Sequence, residues 1–263
     1  MFRKKSKLIN AKARELLFAN GNYITLLFAV IVFAVALILP FIAYYIAYGS
    51  INENVLILIF LLIEWLLSFP LLFGIIRISG LASKKADTGL IDIFYAFESV
   101  KNYFRVIFLG FIQIFKHLTP FSLGFILAHL TVYIFKIPSD LAIWVVIAFS
   151  VIVYTLFLPL ICRFYTVNIL AVSDGVGVIK AIKLSWGYTR KNERFLIAFS
   201  LKMIPILIVS IAAICVPLVI YTIPFLFCAY AVNCRKLILS QKQNDICPAD
   251  ISKGVEEINE QDS

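Results

Sequence analysis

Glu64, Lys116, His117, His129 and Lys202 are the ionisable side chains that fall inside long apolar runs of this 263-residue sequence, and Gln113 stands one helical turn before His117. Placing a charge in hydrocarbon costs roughly 2.5–3.5 kcal/mol even on the most permissive insertion scale, so such residues are the first candidates for function. Gathered at one depth, they would handle protons or ions: a carboxylate to hold a cation, a lysine and an imidazole to relay or repel charge. Spacing limits what they can do together. His117 and His129 lie about 18 Å apart along a helix and about 120° around it, too far to share a metal. Lys202 follows Arg194 by about 12 Å, so its stem can carry the ammonium back to the headgroups. Glu64 is about 14 Å from the outer end of its run, and its short side chain must be protonated, paired or turned to a hydrated cavity.

The sequence offers little for other chemistry. It has no phosphate-cradling glycine loop, no H-E-x-x-H, no G-x-S-x-G and no paired aspartates beside a basic cluster. No catalytic residue, metal ligand or cofactor is expected. Cys162, Cys215, Cys228, Cys234 and Cys247 are scattered without a C-x-x-C, as small apolar residues and a free thiol would be. The net charge of +9 lacks the aromatic-interleaved basic module of a nucleic-acid binder.

The elements that must position these residues are membrane spans. Hydrophobic residues make up 62% of the chain and charged ones 15%, too few polar groups to clothe a soluble domain. About 20 apolar residues suffice to cross the roughly 30 Å hydrocarbon layer, and the sequence predicts spans near 23–48, 55–79, 104–135, 141–163, 195–214 and 215–234. Residues 195–234 are split because one helix of that length would reach about 60 Å. The first run is too long for a cleaved signal and is expected to be retained. Of the 24 lysines and arginines, all but Lys116, Lys136 and Lys202 lie in the leader, in 77–105, in 163–194 or beyond 234. That asymmetry places both termini and those loops in the cytoplasm of a cell-membrane protein. The last residues, 244–263, read as an acidic disordered cytoplasmic tail.

Each long basic segment also carries an amphipathic stretch, near 8–20, 88–101 and 176–190, followed by an asparagine-containing turn and two spans. The expected architecture is therefore all-α, with three units of interfacial helix plus transmembrane hairpin. Lys4, Lys5, Lys12, Arg14, Lys84, Lys85, Arg105, Lys183, Arg190, Lys191 and Arg194 are the candidate contacts to an anionic inner leaflet. The third span has two registers. Beginning at Phe104, it needs a bend or break at Pro120 or Gly124 and brings Lys116 level with Glu64, an expected ion pair; beginning at Lys116, it places Lys116 and His117 at the cytoplasmic rim. The first is favoured, because Arg105 and Gln113 alone are a thin polar face for residues 104–115 to show water.

Segments 163–201, 90–111 and 11–27 also resemble the bacterial integral membrane proteins catalogued as domain of unknown function 975. The likeness rests on Arg163, Tyr165, Ile169, Leu170, Ala171, Asp174, Ala181, Ser185 and Asn192, and covers most of 8–236. The chain departs from that family at 200–204 and at 233–235. The resemblance implies a six-span protein of the cell membrane with no assigned reaction. Two kinds of function follow: a non-catalytic accessory or envelope-homeostasis protein acting through lipid, a membrane-protein partner or a second copy, and a small-solute or ion transporter using Glu64, Lys116, His117 and Gln113.

Overall fold

In a computed structural model, which describes residues 2–19, 21–47, 53–212 and 218–241, every described element is helical. Helix α1 (Phe2–Phe18) precedes a hairpin of α2 (Asn22–Ala47) and α3 (Glu53–Ser83). A 3-10 segment (Leu90–Glu98) leads into α4 (Val100–Phe135) and α5 (Ser139–Cys162). A π-helical turn (Ile169–Ser173), α6 (Val178–Thr189), α7 (Glu193–Ala212) and α8 (Ile220–Gln241) complete the chain.

Five helices are long and apolar enough to cross a membrane, within Asn22–Tyr45, Val55–Ser83, Val100–Phe135, Asp140–Cys162 and Ile220–Gln241. The last of these begins and ends later than the expected 215–234, and residues 213–217, where the sequence divides its last two spans, lie outside the described residues, as does the tail. The amphipathic stretches expected near 8–20, 88–101 and 176–190 correspond to α1, the 3-10 segment and α6.

Local chemistry sets the corners. Gly21 adopts a left-handed φ of +72° ahead of α2, a conformation that glycine reaches without steric cost. The Ser99 side chain accepts from the Asn102 amide at 3.2 Å and caps α4, while Lys136, at φ 47°, ends it. One asparagine closes each entry from amphipathic segment to following helix. Asn22 donates to the Leu16 carbonyl at 3.0 Å, Asn102 to Tyr95 at 3.3 Å and Asn192, more loosely, to Tyr188 at 3.5 Å.

The buried core lies at the end of the molecule where α1, the start of α2, the second half of α3, the 3-10 segment and α8 meet. Gly74 allows the 3-10 segment to sit directly on α3: a Cβ there would run into the Ile93 carbonyl oxygen. Within its candidate span, α8 is 61% buried and α5 only 11%. The first is thus the central post, and the second leaves most of its apolar side chains uncovered by the rest of the described chain.

α4 and α5 pack along their length. Pro120, Gly124 and Ala128 form the buried stripe, and a Cβ on Gly124 would lie 2.7 Å from the Ser150 Cα. Small residues on one face thus serve close helix packing. The helix runs through Pro120 and Gly124 without the expected break, at a length of about 54 Å. It accommodates this length because α5 ends opposite residues near 112, leaving the first turns of α4 to pack on α3 and the 3-10 segment. Lys116 therefore lies about one turn beyond the level at which α5 ends, near the middle of α4.

Candidate functional site

The polar residues of the membrane region are distributed over several surfaces. Gln113 and His117 share one face of α4, where the Gln113 amide donates to Asn168 Oδ1 at 2.7 Å and His117 Nδ1 lies 2.8 Å from the Tyr154 hydroxyl. The four line an open groove of about 660 Å³ whose remaining wall is largely aromatic and aliphatic, with Phe69 and Phe73 from α3. Lys116 turns the other way, into a groove of about 520 Å³ between α4 and α5. Glu64 faces α2, lining cavities with Phe33 and Leu37 and with Pro40 and Tyr44.

The expected Glu64–Lys116 pair is accordingly not formed. Depth is not the reason, since Trp65, next to Glu64, packs at a tilt against Phe111 with ring centroids 4.6 Å apart. Glu64 points around α3 toward α2, while Lys116 points around α4 toward α5, and neither takes part in the four ion pairs found among the described residues. His129 stands apart, edge-on to Phe125 at 4.3 Å. Lys202 reaches back to Ser6 of α1, donating to its hydroxyl at 3.0 Å.

The densest polar constellation lies at the buried end of the molecule, around the π-helical turn. Such a turn widens the backbone by one residue and often marks a specialised site. Here the Asp174 amide bonds the Ile169 carbonyl at 3.2 Å, and Gly175, at φ +69°, reverses the chain. Asp174 then receives Arg235 of α8 through two nitrogens, at 2.9 and 3.2 Å, and Lys84 from the end of α3 at 2.6 Å. Burial pushes the Asp174 carboxyl up, but the hydrogen bonds from Arg235 and Lys84 outweigh it and hold the group below the usual carboxylate range.

A second knot adjoins the first. Arg77 pairs with Asp92 at 3.1 Å, donates to the Val172 carbonyl at 3.2 Å and lies 4.3 Å above the Tyr95 ring. Asp92 in turn accepts from the Gly89 amide at 2.9 Å, fixing the start of the 3-10 segment. On the opposite flank Arg163 pairs with Glu193 at 3.0 Å and stacks over Trp186. Segment 163–168 is pinned by Ser185, which donates to the Arg163 carbonyl at 2.6 Å, and by Tyr230, which donates to the Tyr165 carbonyl at 2.7 Å.

Of the candidate headgroup contacts, Lys5, Lys12, Arg14, Lys85, Lys183, Arg190, Lys191 and Arg194 are exposed, while Lys4 falls outside the described side chains. Lys84 and Arg105 are used internally, the first on Asp174 and the second on the Tyr95 hydroxyl at 3.1 Å. Sequence reading by depth in hydrocarbon missed the Asp174–Lys84–Arg235 and Arg77–Asp92 groups, because each lies in a basic loop where charge is ordinary. The available signal was Asp174 itself, an isolated acid inside an otherwise apolar stretch.

The architecture is that of an all-α protein with five membrane-compatible helices rising from a charge-knotted base. No family model, curated protein or solved structure matches this chain.

Proposed function

We propose that this chain is a six-span, multipass protein of the cell membrane with both termini in the cytoplasm, acting without catalysis as an accessory or envelope-homeostasis protein through contacts to lipid and to other membrane proteins. The sixth span in this reading is α7, a 20-residue helix with Lys202 as its one charge beyond Arg194. The three asparagine-closed corners support a plan of three units, each an amphipathic segment followed by a hairpin. The family of bacterial membrane proteins that the sequence resembles implies the same count of six spans.

The observation that carries this reading is the dispersal of the intramembrane polar groups. Glu64, Lys116 and the Gln113–His117 pair face three different surfaces, so these groups form no continuous polar path along the helices among the described residues. A conduction or relay pathway needs such groups to line one route. Reconstituted into liposomes, the protein is expected to pass no more protons or small ions than empty liposomes do. Flux above that level, abolished by Glu64→Gln or Lys116→Met, would move the assignment to transport.

A further inference from the structure

The groove holding Lys116 continues past its own end. Phe108 and Phe164 form its cytoplasmic mouth, Phe157 and Pro120 its deeper wall, and its lining is apolar except for Lys116 and Thr119. Phe108 also lines an adjoining cavity of about 600 Å³, whose other residues belong to α6 and its entry turn and include Lys180 and Lys183. An apolar slot about 18 Å long, measured from Phe108 to Pro120 along α4, thus opens onto two cations of an amphipathic helix. A third cation stands in its wall.

None of Lys116, Lys180 and Lys183 takes part in the ion pairs found among the described residues, whereas the neighbouring Arg163 is held by Glu193. The slot is open along its flank, where Phe108 and Phe115 are half or more exposed. Its occupant must be long, apolar and anionic at the cytoplasmic end, and must enter sideways from the bilayer. A soluble anion would satisfy the lysines and leave the slot empty; a neutral lipid would fill the slot and leave three ammonium groups uncompensated.

We infer that the α4–α5 groove binds one anionic phospholipid, its phosphate on Lys180 and Lys183 of α6 and an acyl chain along the slot, with Lys116 reaching from the wall toward the same headgroup. This deepens the lipid-contact reading above and rests on it. It turns a diffuse attraction to the inner leaflet into an addressed site.

Trp186 supplies the reporter, because it packs on Phe164 at the mouth, with ring centroids 6.0 Å apart. In the full-length protein with Trp65→Phe and Trp144→Phe, reconstituted in mixed vesicles, tail-brominated phosphatidylglycerol should quench Trp186 with an apparent affinity roughly tenfold above that of tail-brominated phosphatidylcholine. Lys180→Gln with Lys183→Gln should collapse that ratio toward one, and Lys116→Met should reduce it. Lys101→Gln, which removes an exposed cation outside both cavities, should leave it unchanged. Thr119→Phe, which fills the slot, should weaken quenching by both lipids.

Equal quenching by the two lipids would overturn the site, as would selectivity that survives loss of all three lysines or falls equally with Lys101→Gln. Quenching untouched by Thr119→Phe would overturn the placement of the chain. The two readings fail separately: solute flux with selective quenching sinks only the non-transport reading, and unselective quenching without flux sinks only the lipid site.

Discussion

Asp174 is the residue on which the base of the molecule turns. It joins the π-helical turn to α3 through Lys84 and to α8 through Arg235, and the side chains of Asp174 and Arg235 are each 16% exposed. Changing it to asparagine keeps the shape but leaves Arg235 short of a counter-charge in a poorly hydrated place. Asp174→Asn is expected to lower stability by about 2–3 kcal/mol, below the range for fully buried pairs because Lys84 is partly solvated. Because the folded-state pKa is depressed, the contribution is fully present above the unfolded-state value of about 3.9 and is lost as pH falls through the folded one. Denaturation in detergent should therefore show a constant gap between wild type and Asp174→Asn from about pH 5 to 8, closing below about pH 4. A gap that widens on acidification would contradict this account of the ion cluster.

At the scale of elements, backbone proximity decides more than side-chain attraction. Gly74 permits the 3-10 segment to lie on α3, and the Arg77–Asp92 pair one turn away holds it there. Gly74→Ala places a methyl group against a main-chain carbonyl that cannot move without lifting the segment, and it should cost about 2–3 kcal/mol and expose the 84–98 stretch to protease. Gly187 in α6 is the matched contrast, with nothing within 4 Å of an added Cβ. Gly187→Ala should be neutral or stabilising by up to about 1 kcal/mol, by helix propensity alone. Similar losses at the two positions, read as denaturation midpoints, would show that the close approach is unimportant. The asparagine corners belong to this scale too: each ties an amphipathic segment to the helix that follows, with a hydrogen bond that no amphipathic pattern announces.

For the whole molecule, the distribution of basic residues and the ion clusters point to one face. The cations that the sequence assigns to the cytoplasm include those that pack around Asp174 and Asp92, so the charge from which the proposed orientation is read also builds the core. A cysteine introduced at Ser139, in a background with Cys215→Ser and Cys247→Ser, should react with an impermeant maleimide in intact cells. One introduced at Ser99 should react only after permeabilisation. Labelling of both positions in intact cells would refute the orientation. Cys162, Cys228 and Cys234 are buried and should stay silent in either case.

Much of this organisation is legible along the chain. Length and hydropathy of contiguous segments give the helical class and most of the membrane-compatible helices, because crossing a hydrocarbon layer is a one-dimensional requirement summed over neighbours. The small-residue stripe on α4 is readable as packing for the same reason: period 3.6 places Pro120, Gly124 and Ala128 on one face whatever the partner. Depth is readable as well, and Glu64 and the start of the Lys116 region do lie at similar heights. The sequence cannot supply azimuth, the direction each side chain takes around its helix relative to the other helices, and that alone separates Glu64 from Lys116. Nor does spacing reveal that Lys84, Asp174 and Arg235 converge, since successive members lie 90 and 61 residues apart along the chain, joined by contacts between elements that no local pattern encodes. The sequence by itself determined that this protein is built of membrane-length helices with its basic residues gathered in the segments between them. Only the tertiary structure decided which charges meet, because pairing depends on how whole helices rotate and cross, a property of the packed molecule rather than of any segment.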